Sequence, residues 1–281
     1  MSAPTGETRL AAVIGSPVSH SLSPLLLNTA FEATDSDWVY VALEVEQLRV
    51  PDAFAGIRAL GIAGVSVTMP NKEAAAACAD SLTPDAEMLG AVNCIVNLDG
   101  HLVGHNTDGA GFVAALGTEL MFDPADRRCV VLGAGGSARS IALALVRANA
   151  SEVVIVNRTP ERAERAVALL GTIGRAVAPD DADEVLRAAD LIVNATSVGM
   201  GTPSVDDVPF DVSLIREGQV VVDIVYRPLR TPLLEAAAAR GALTANGVSM
   251  LVHQAAIQFE LWTGRAAPVA AMTAAVADKL A

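Results

Sequence analysis

The sequence predicts an α/β protein of two consecutive domains, each a mostly parallel sheet covered by helices. Three observations carry that expectation. A chain of 281 residues is long for one hydrophobic core, because cores stop growing near this size and chains then split into domains. It is 52% hydrophobic but only 4% aromatic, so its interior is mainly Ala, Val, Leu and Ile, the mixture of buried parallel strands and their covering helices. Short apolar runs also alternate with longer amphipathic stretches, the rhythm of repeated β-α units.

In order, LAAVIG, WVYVALEV, GVSVTM and AVNCIVN read as strands, with helices at 23–33, 51–60 and 70–79 between them. The middle third repeats the theme with strands CVVLG, EVVIVN, DLIVNAT and QVVVDIV and Ala-rich helical segments at 138–149 and 160–170. After Asn246 the strand signal ends. Apolar residues spaced three and four apart at 250–263 and 268–280 predict two closing helices that must pack on earlier structure. The Gly-rich stretch 104–111 and the residues around Asn246 and Gly247 are the crossover points, and the hinge between domains is placed at both.

Nineteen basic against 32 acidic side chains leave a net charge of -13, which repels phosphate polymers and argues against a nucleic-acid partner. An anionic small ligand must then be met by local donors, which makes isolated Lys and Arg residues informative. Cys78, Cys94 and Cys129 are odd in number, lack C-x-x-C spacing and sit in apolar stretches, so they read as small buried hydrophobes. No His/Cys/Asp cluster has metal-ligand spacing, and no metal is expected. The segment from Met1 to Arg9 is polar with no apolar targeting core, and no stretch approaches the ~18 apolar residues of a membrane span. A soluble, cytoplasmic protein with no membrane partner is expected.

The strand at 129–132 runs directly into Gly133-Ala134-Gly135-Gly136-Ser137-Ala138 and then a helix. This is G-x-G-x-x-A. The first glycine permits a tight turn, the second admits a pyrophosphate to the backbone, and the small third position lets helix and strand pack closely, with the helix N-terminus facing the anion. Alone the pattern is weak; between a strand and a helix of a βαβ unit it predicts a Rossmann-type dinucleotide site. The next strand ends at Asn157, where an acid for the ribose 2′-hydroxyl of NAD is absent. Arg158, Thr159 and Arg162 follow instead and offer donors to a 2′-phosphate, so the expected cofactor is NADP. One charge-assisted hydrogen bond is worth roughly 1.5 to 3 kcal/mol, so Arg158 alone would prefer NADPH by about tenfold to a hundredfold. The plainer reading has these arginines solvated, or paired with Glu161 and Glu164.

Hydride transfer to a ketone needs a proton donor beside the carbonyl. Lys72 is the only lysine before Lys279, and it stands directly after Val-Thr-Met-Pro-Asn at a strand-to-helix junction. It reads either as a tunable amine or as an exposed helix-start lysine. Asp108, in Gly104-His105-Asn106-Thr107-Asp108-Gly109, reads as a catalytic carboxylate or as a helix N-cap.

Together these residues make the chain resemble the shikimate dehydrogenase family, from about Ala12 to Gly264. The likeness rests on short segments in a specific order: Ser19-His20-Ser21-Leu22-Ser23-Pro24, Val67-Thr68-Met69-Pro70-Asn71-Lys72, Gly90-Ala91-Val92-Asn93, Asn106-Thr107-Asp108-Gly109, the Gly133 loop, Asn157-Arg158-Thr159, Asn194-Ala195-Thr196-Ser197, Asp223-Ile224-Val225-Tyr226 and Met250-Leu251-Val252-His253-Gln254-Ala255. The resemblance implies that Lys72 and Asp108 are the catalytic pair and that Ser21, Ser23, Thr68, Asn93, Tyr226 and Gln254 contact the substrate. It further implies that Gly133, Ala134, Gly135, Gly136, Ser137, Asn157, Arg158, Thr159, Arg162, Thr196, Ile224 and Gly247 hold NADP. Hydroxyl and amide side chains suit a ligand with one carboxylate and three hydroxyls. Without the resemblance, Ser21 and Ser23 read as an N-cap before Leu25.

The implied organisation is a substrate-binding catalytic domain from 1–108 and 247–281, an NADP-binding Rossmann-like domain from 109–246, and C-terminal helices packing back toward the first domain. The implied activity is reversible NADPH-dependent reduction of 3-dehydroshikimate to shikimate in the shikimate pathway. A quinate/shikimate dehydrogenase of broader range and a non-catalytic NADPH-binding regulator on the same scaffold are the alternatives. A methylene-tetrahydrofolate dehydrogenase shares the two-domain plan by fold analogy alone, and the polar Ser21, Ser23 and Gln254 set suits a polyol acid better than a pterin. A homodimer stays open. Two residues depart from the family's commonest pattern. Ser66 stands where Asn often precedes Val-Thr, which leaves the bracing of the Thr68 loop open, and His105 precedes Asn106 where other residues are frequent. His105 and His253 read as ordinary loop and helix-face residues rather than acid-base groups.

Overall fold

The computed structural model describes residues 3–280; Met1 and Ser2, the start of the polar N-terminal segment, and Ala281 lie outside them. The chain forms two compact units, one made of the stretch up to Thr107 together with that from Val252 on, the other of Asp108–Leu251. Among the described residues no helix is long and apolar enough to cross a membrane.

The first unit begins with β1 (Arg9–Gly15), α1 (Ser23–Ala33), β2 (Trp38–Glu44), α2 (Val50–Leu60), β3 (Gly64–Val67), α3 (Lys72–Cys78), β4 (Ser81–Leu82), α4 (Pro84–Leu89), β5 (Cys94–Leu98) and β6 (His101–His105). Its six-stranded sheet has the order β2-β1-β3-β5-β6-β4. Strand β5 alone runs against the others. The AVNCIVN run is therefore the first arm of a hairpin with β6, turned at Asp99 and Gly100, both at positive φ (52° and 94°). Such a backbone matches the twist of two antiparallel strands. Part of the Gly-rich stretch expected as a crossover, Gly104 and His105, is thus strand. One face of the sheet is closed by Val50, Phe54 and Ile57 of α2 packing on Ile14, Val65, Ile95 and Leu102.

The second unit runs α5 (Asp108–Leu120), β7 (Arg128–Leu132), α6 (Gly136–Arg147), β8 (Glu152–Val156), α7 (Pro160–Val167), β9 (Gly174–Val177), α8 (Asp183–Ala188), β10 (Leu191–Asn194), β11 (Val220–Asp223), α9 (Pro232–Ala239) and β12 (Leu243–Ala245). All its pairings are parallel, in the order β12-β11-β10-β7-β8-β9. Two apolar layers cover the sheet, one around Leu116, Ile141 and Leu145, the other around Leu186, Leu214 and Leu233. The chain steps from β7 outward to β9 and returns to β10 on the other side of β7. That reversal opens a crevice at the carboxyl ends of β7 and β10, where open α/β sheets bind ligands.

Helix α10 (Gly247–Thr263) leaves the second unit after Leu251 and continues in the first, followed by α11 (Val269–Leu280). Helix α10 packs on the first sheet and α11 packs on α1, so both return to the first unit as the apolar spacing led one to expect. Trp262 of α10 donates its indole N–H to Ile95 O at 2.9 Å and lies over Gly64, where a Cβ would fall 2.4 Å from the indole. Phe31 stacks on Trp38 with centroids 5.3 Å apart and meets Phe259 at 5.5 Å. Much of a scarce aromatic supply is gathered on this one face.

Candidate active site

In the second unit, β7 ends in Leu132 and the chain turns at Gly133, whose φ of 105° disfavours any side chain. A Cβ there would stand 3.0 Å from Ala195 O, while the Gly133 N–H donates to Val156 O at 2.8 Å. The turn is thereby locked between β8 and the loop after β10. Gly135 has ordinary extended angles (φ -77°, ψ -176°), and a Cβ on Gly135 or Gly136 would meet no atom of the chain within 4 Å. Neither glycine is demanded by the protein's own packing. They open α6, whose first turn carries no acid; its unpaired N–H groups and the helix dipole favour an anion. Ala134 and Ser137 flank them, half-buried.

At the end of β8, the Asn157 side chain donates to Thr159 O at 2.9 Å and shapes the turn into α7. Thr159 is the N-cap of α7, without a side-chain cap bond. Arg158 and Arg162 are exposed. Among the described residues neither forms an ion pair, so the pairs with Glu161 and Glu164 are not made. These features fit a dinucleotide with a phosphorylated ribose: an anion-ready helix start with glycines that the fold does not need, then free guanidinium groups where an acid would serve NAD.

The flanking loops have their own brace. Asp223, fully buried, accepts from Thr231 Oγ1 at 2.7 Å, Asn194 Nδ2 at 3.0 Å and the Val225 N–H at 3.1 Å. Burial pushes its carboxyl above the usual aspartate range. Asn194 Oδ1 in turn accepts from the Thr196 hydroxyl at 2.7 Å, so that hydroxyl is engaged within the loop. The Ile224 N–H donates to Asn194 O. Gly247 has a reason internal to the chain, because a Cβ would fall 2.0 Å from Ile224 O. Asp108 opens α5 and is buried. Tyr226 is half-buried, and burial raises its phenol pKa so that it stays protonated.

In the first unit, Lys72 is the first residue of α3 and its carbonyl accepts from the Val92 N–H at 2.9 Å. Thr68 follows β3, with its N–H bonded to Ile14 O. The N-cap expected of Ser21 and Ser23 is not formed by either side chain. The N-cap of α1 is Leu22, Ser23 is already helical, and Ser21 Oγ accepts from the Ser23 N–H at 3.2 Å. Asn93 is buried and locked to Thr107: its Nδ2 donates to Thr107 Oγ1 at 3.0 Å and its Oδ1 accepts from the Thr107 N–H at 2.7 Å. Gln254, half-buried on α10, accepts at its backbone carbonyl from the Thr107 hydroxyl at 3.2 Å. The first unit thus gathers Asn93, Thr107 and Gln254, while Asp108 and Tyr226 belong to the second.

Sequence reading missed Tyr40 and Gln258 and left the place of Ser66 open. Ser66 Oγ accepts from the Tyr40 hydroxyl at 2.6 Å and donates to Gln258 Oε1, which accounts for a serine at this position. The available signal was Gln258 itself, one helical turn beyond Gln254. His105 and His253 are half-buried and burial lowers both imidazole pKa values, which keeps them neutral. Cys94 and Cys129 are buried as expected, and burial pushes the Cys129 thiol up to about 12.

A parallel sheet with its switch point at a glycine turn, in a chain that also carries a separate unit rich in buried amides and hydroxyls and a lysine-bearing helix start, defines a dinucleotide-dependent dehydrogenase. Family models agree on which kind. The shikimate dehydrogenase substrate binding domain matches residues 13–95, shikimate / quinate 5-dehydrogenase matches 116–225, and the shikimate 5′-dehydrogenase C-terminal domain matches 247–277. The shikimate dehydrogenase (NADP(+)) of Moorella thermoacetica is 47% identical over 95% of this chain and 92% of its own length. The shikimate 5-dehydrogenase of Listeria monocytogenes, solved with shikimate and NAD, superposes with a TM-score of 0.92 at 35% identity over 98% of this chain and 99% of that one. That of Thermus thermophilus, solved with NADP(H) and shikimate, gives 0.86 at 38% identity over 96% and 99%. The chain belongs to the shikimate dehydrogenase family.

Proposed function

We propose that the chain catalyses the reversible reduction of 3-dehydroshikimate to shikimate with NADPH, a step of the shikimate pathway toward chorismate and the aromatic amino acids. The observation that carries this reading is the first unit's polar floor. Asn93, Thr107 and Gln254 present amides and hydroxyls with no formal charge, next in sequence to Asp108 and in the same unit as Lys72. Such groups match the hydroxyls and carboxylate of shikimate and reject analogues that leave them unpaired.

The substrate domain is assigned to 1–108 with 247–281 and the NADP domain to 109–246, boundaries that fall one residue after and five residues before those of the compact units. NADPH, when bound, supplies the hydride. The Gly133 loop and the α6 start hold its pyrophosphate, and Arg158, Thr159 and Arg162 hold the 2′-phosphate. Ser21, Ser23, Thr68, Asn93, Tyr226 and Gln254 bind and orient the substrate. The Lys72 ammonium gives a proton to the substrate oxygen as the ketone becomes an alcohol, and the Asp108 carboxylate accepts a hydrogen bond from the hydroxyl so formed. In reverse, Lys72 takes the proton.

The test follows absorbance of NADP+ reduction with shikimate and quinate in parallel, and with NAD+ in place of NADP+. Turnover with shikimate and NADP+, at least about tenfold better in kcat/KM than with NAD+ or quinate, is the expected result. Binding of NADP+ without oxidation of shikimate would instead mark a regulator. General acid-base catalysis contributes about 10² to 10⁴ in rate, so Lys72→Ala should lower kcat by that order with a smaller change in KM. Full turnover in that variant removes Lys72 from the reaction.

A further inference from the structure

A run of buried hydrogen bonds crosses the first unit from Tyr40 and ends on Gln254, a residue assigned above to the substrate. The Tyr40 hydroxyl donates to Ser66 Oγ at 2.6 Å, and Ser66 donates to Gln258 Oε1. Gln258 Nε2 donates to Gln254 Oε1 at 2.8 Å and to Thr107 Oγ1 at 3.2 Å. Tyr40, Ser66, Thr107 and Gln258 are 2%, 6%, 3% and 1% exposed, whereas Gln254 is half-buried. The run therefore lies inside the fold with its Gln254 end nearer the surface.

Its polarity has one direction. An amide offers acceptor lone pairs at one end and two N–H donors at the other, and the two ends have nearly the same shape, so only partners decide which way it points. Tyr40 is buried deeply enough to remain protonated. Its proton occupies Ser66 Oγ as acceptor, and the Ser66 proton must then go to an acceptor, which makes the facing end of Gln258 Oε1. The opposite end of Gln258, Nε2, then faces Gln254 and selects Oε1 there. What Gln254 turns away from Gln258 is its Nε2.

We propose that Tyr40, Ser66 and Gln258 are positioning residues that fix the amide of Gln254 so that it offers N–H donors, not a carbonyl, to a hydroxyl or carboxylate oxygen of the substrate. The proposal rests on the reading that Gln254 contacts shikimate. Without the Ser66 donor, Gln258 loses the partner of its acceptor end, and its hold on Gln254 Oε1 weakens.

The test is a double-mutant cycle. Ser66→Ala and Tyr40→Phe are each made alone and with Gln254→Ala, and shikimate KM, NADP+ KM and kcat are measured, with the melting temperature as a folding control. Each single variant is expected to raise the shikimate KM by about three- to tenfold, the loss of one neutral hydrogen bond, at an unchanged NADP+ KM. With Gln254 already replaced, the same changes should alter the shikimate KM by less than about twofold, because the residue they orient is gone. Ser66→Thr, which keeps the hydroxyl, should restore affinity. Tyr40→Phe keeps the ring beside Trp262 and decides the matter if Ser66→Ala folds poorly. Additive effects, or single variants with no effect on the shikimate KM, overturn the proposal. If Gln254→Ala alone leaves that KM unchanged, the substrate reading of Gln254 falls first and takes the orientation with it.

Discussion

Arg158 and Asp223 show how differently one charge behaves at the surface and in the core. Arg158 stands exposed at the end of β8, without an ion pair among the described residues. Its removal costs the fold little. Arg158→Ala should lower the NADPH-to-NADH ratio of kcat/KM by about tenfold to a hundredfold with stability almost unchanged; an unaltered ratio takes Arg158 away from the 2′-phosphate. Asp223 is the reverse case. Its folded pKa is raised by burial above the ordinary 3.8, against the pull of its three donors. The protonated form is thus the one the fold favours, so the stability it contributes is complete below 3.8 and is lost as pH rises through the raised folded value. Asp223→Asn removes that titration. Its urea midpoint should fall less steeply than that of the parent between about pH 4 and 7, and parallel curves would refute the burial argument.

At the scale of elements, the apolar pattern located strands well and said nothing of their direction. The run 91–97 looks like any other buried strand, and a period of two or an unbroken apolar stretch reads the same forward and backward. Only the Asp99-Gly100 pair marks the hairpin that reverses it. The glycine loop was legible because its residues are contiguous and each has a local reason. The hydrogen-bonded run was not, since Tyr40 and Ser66 are 26 residues apart and Ser66 and Gln258 are 192 apart. Gly247 lies between these cases: a motif gave it a cofactor role, and the structure adds a close approach to Ile224 that sequence cannot display. Gly247→Ala must push the start of α10 off the β11 loop, because backbone, not a flexible side chain, stands in the way. A stability loss of about 2 kcal/mol or more is expected in chemical denaturation; a neutral effect would mean that the loop yields.

At the scale of the molecule, the two units differ in how their sequences are arranged, and that difference predicts how each folds. The second unit is continuous, Asp108–Leu251. Every strand of its sheet and both covering apolar layers lie inside that stretch, and so do all the residues proposed to hold NADP. A unit of this kind owns its core and meets the usual condition for folding alone. The first unit is discontinuous. Its N-terminal part lacks Trp262 over Gly64, Phe259 against Phe31 and Gln258 for Ser66 until α10 and α11 have been made. Stranding those groups exposes one face of the sheet and leaves buried hydroxyls unpaired, which is costly for both apolar and polar reasons. The fragment 108–251 should therefore unfold cooperatively in urea, and NADP+ at about 100 times its Kd should stabilise it by about 2.7 kcal/mol. The fragment 1–107 should show no cooperative transition. A fragment 108–251 that lacks a transition, or gains nothing from NADP+, would mean that the cofactor surface depends on the first unit after all.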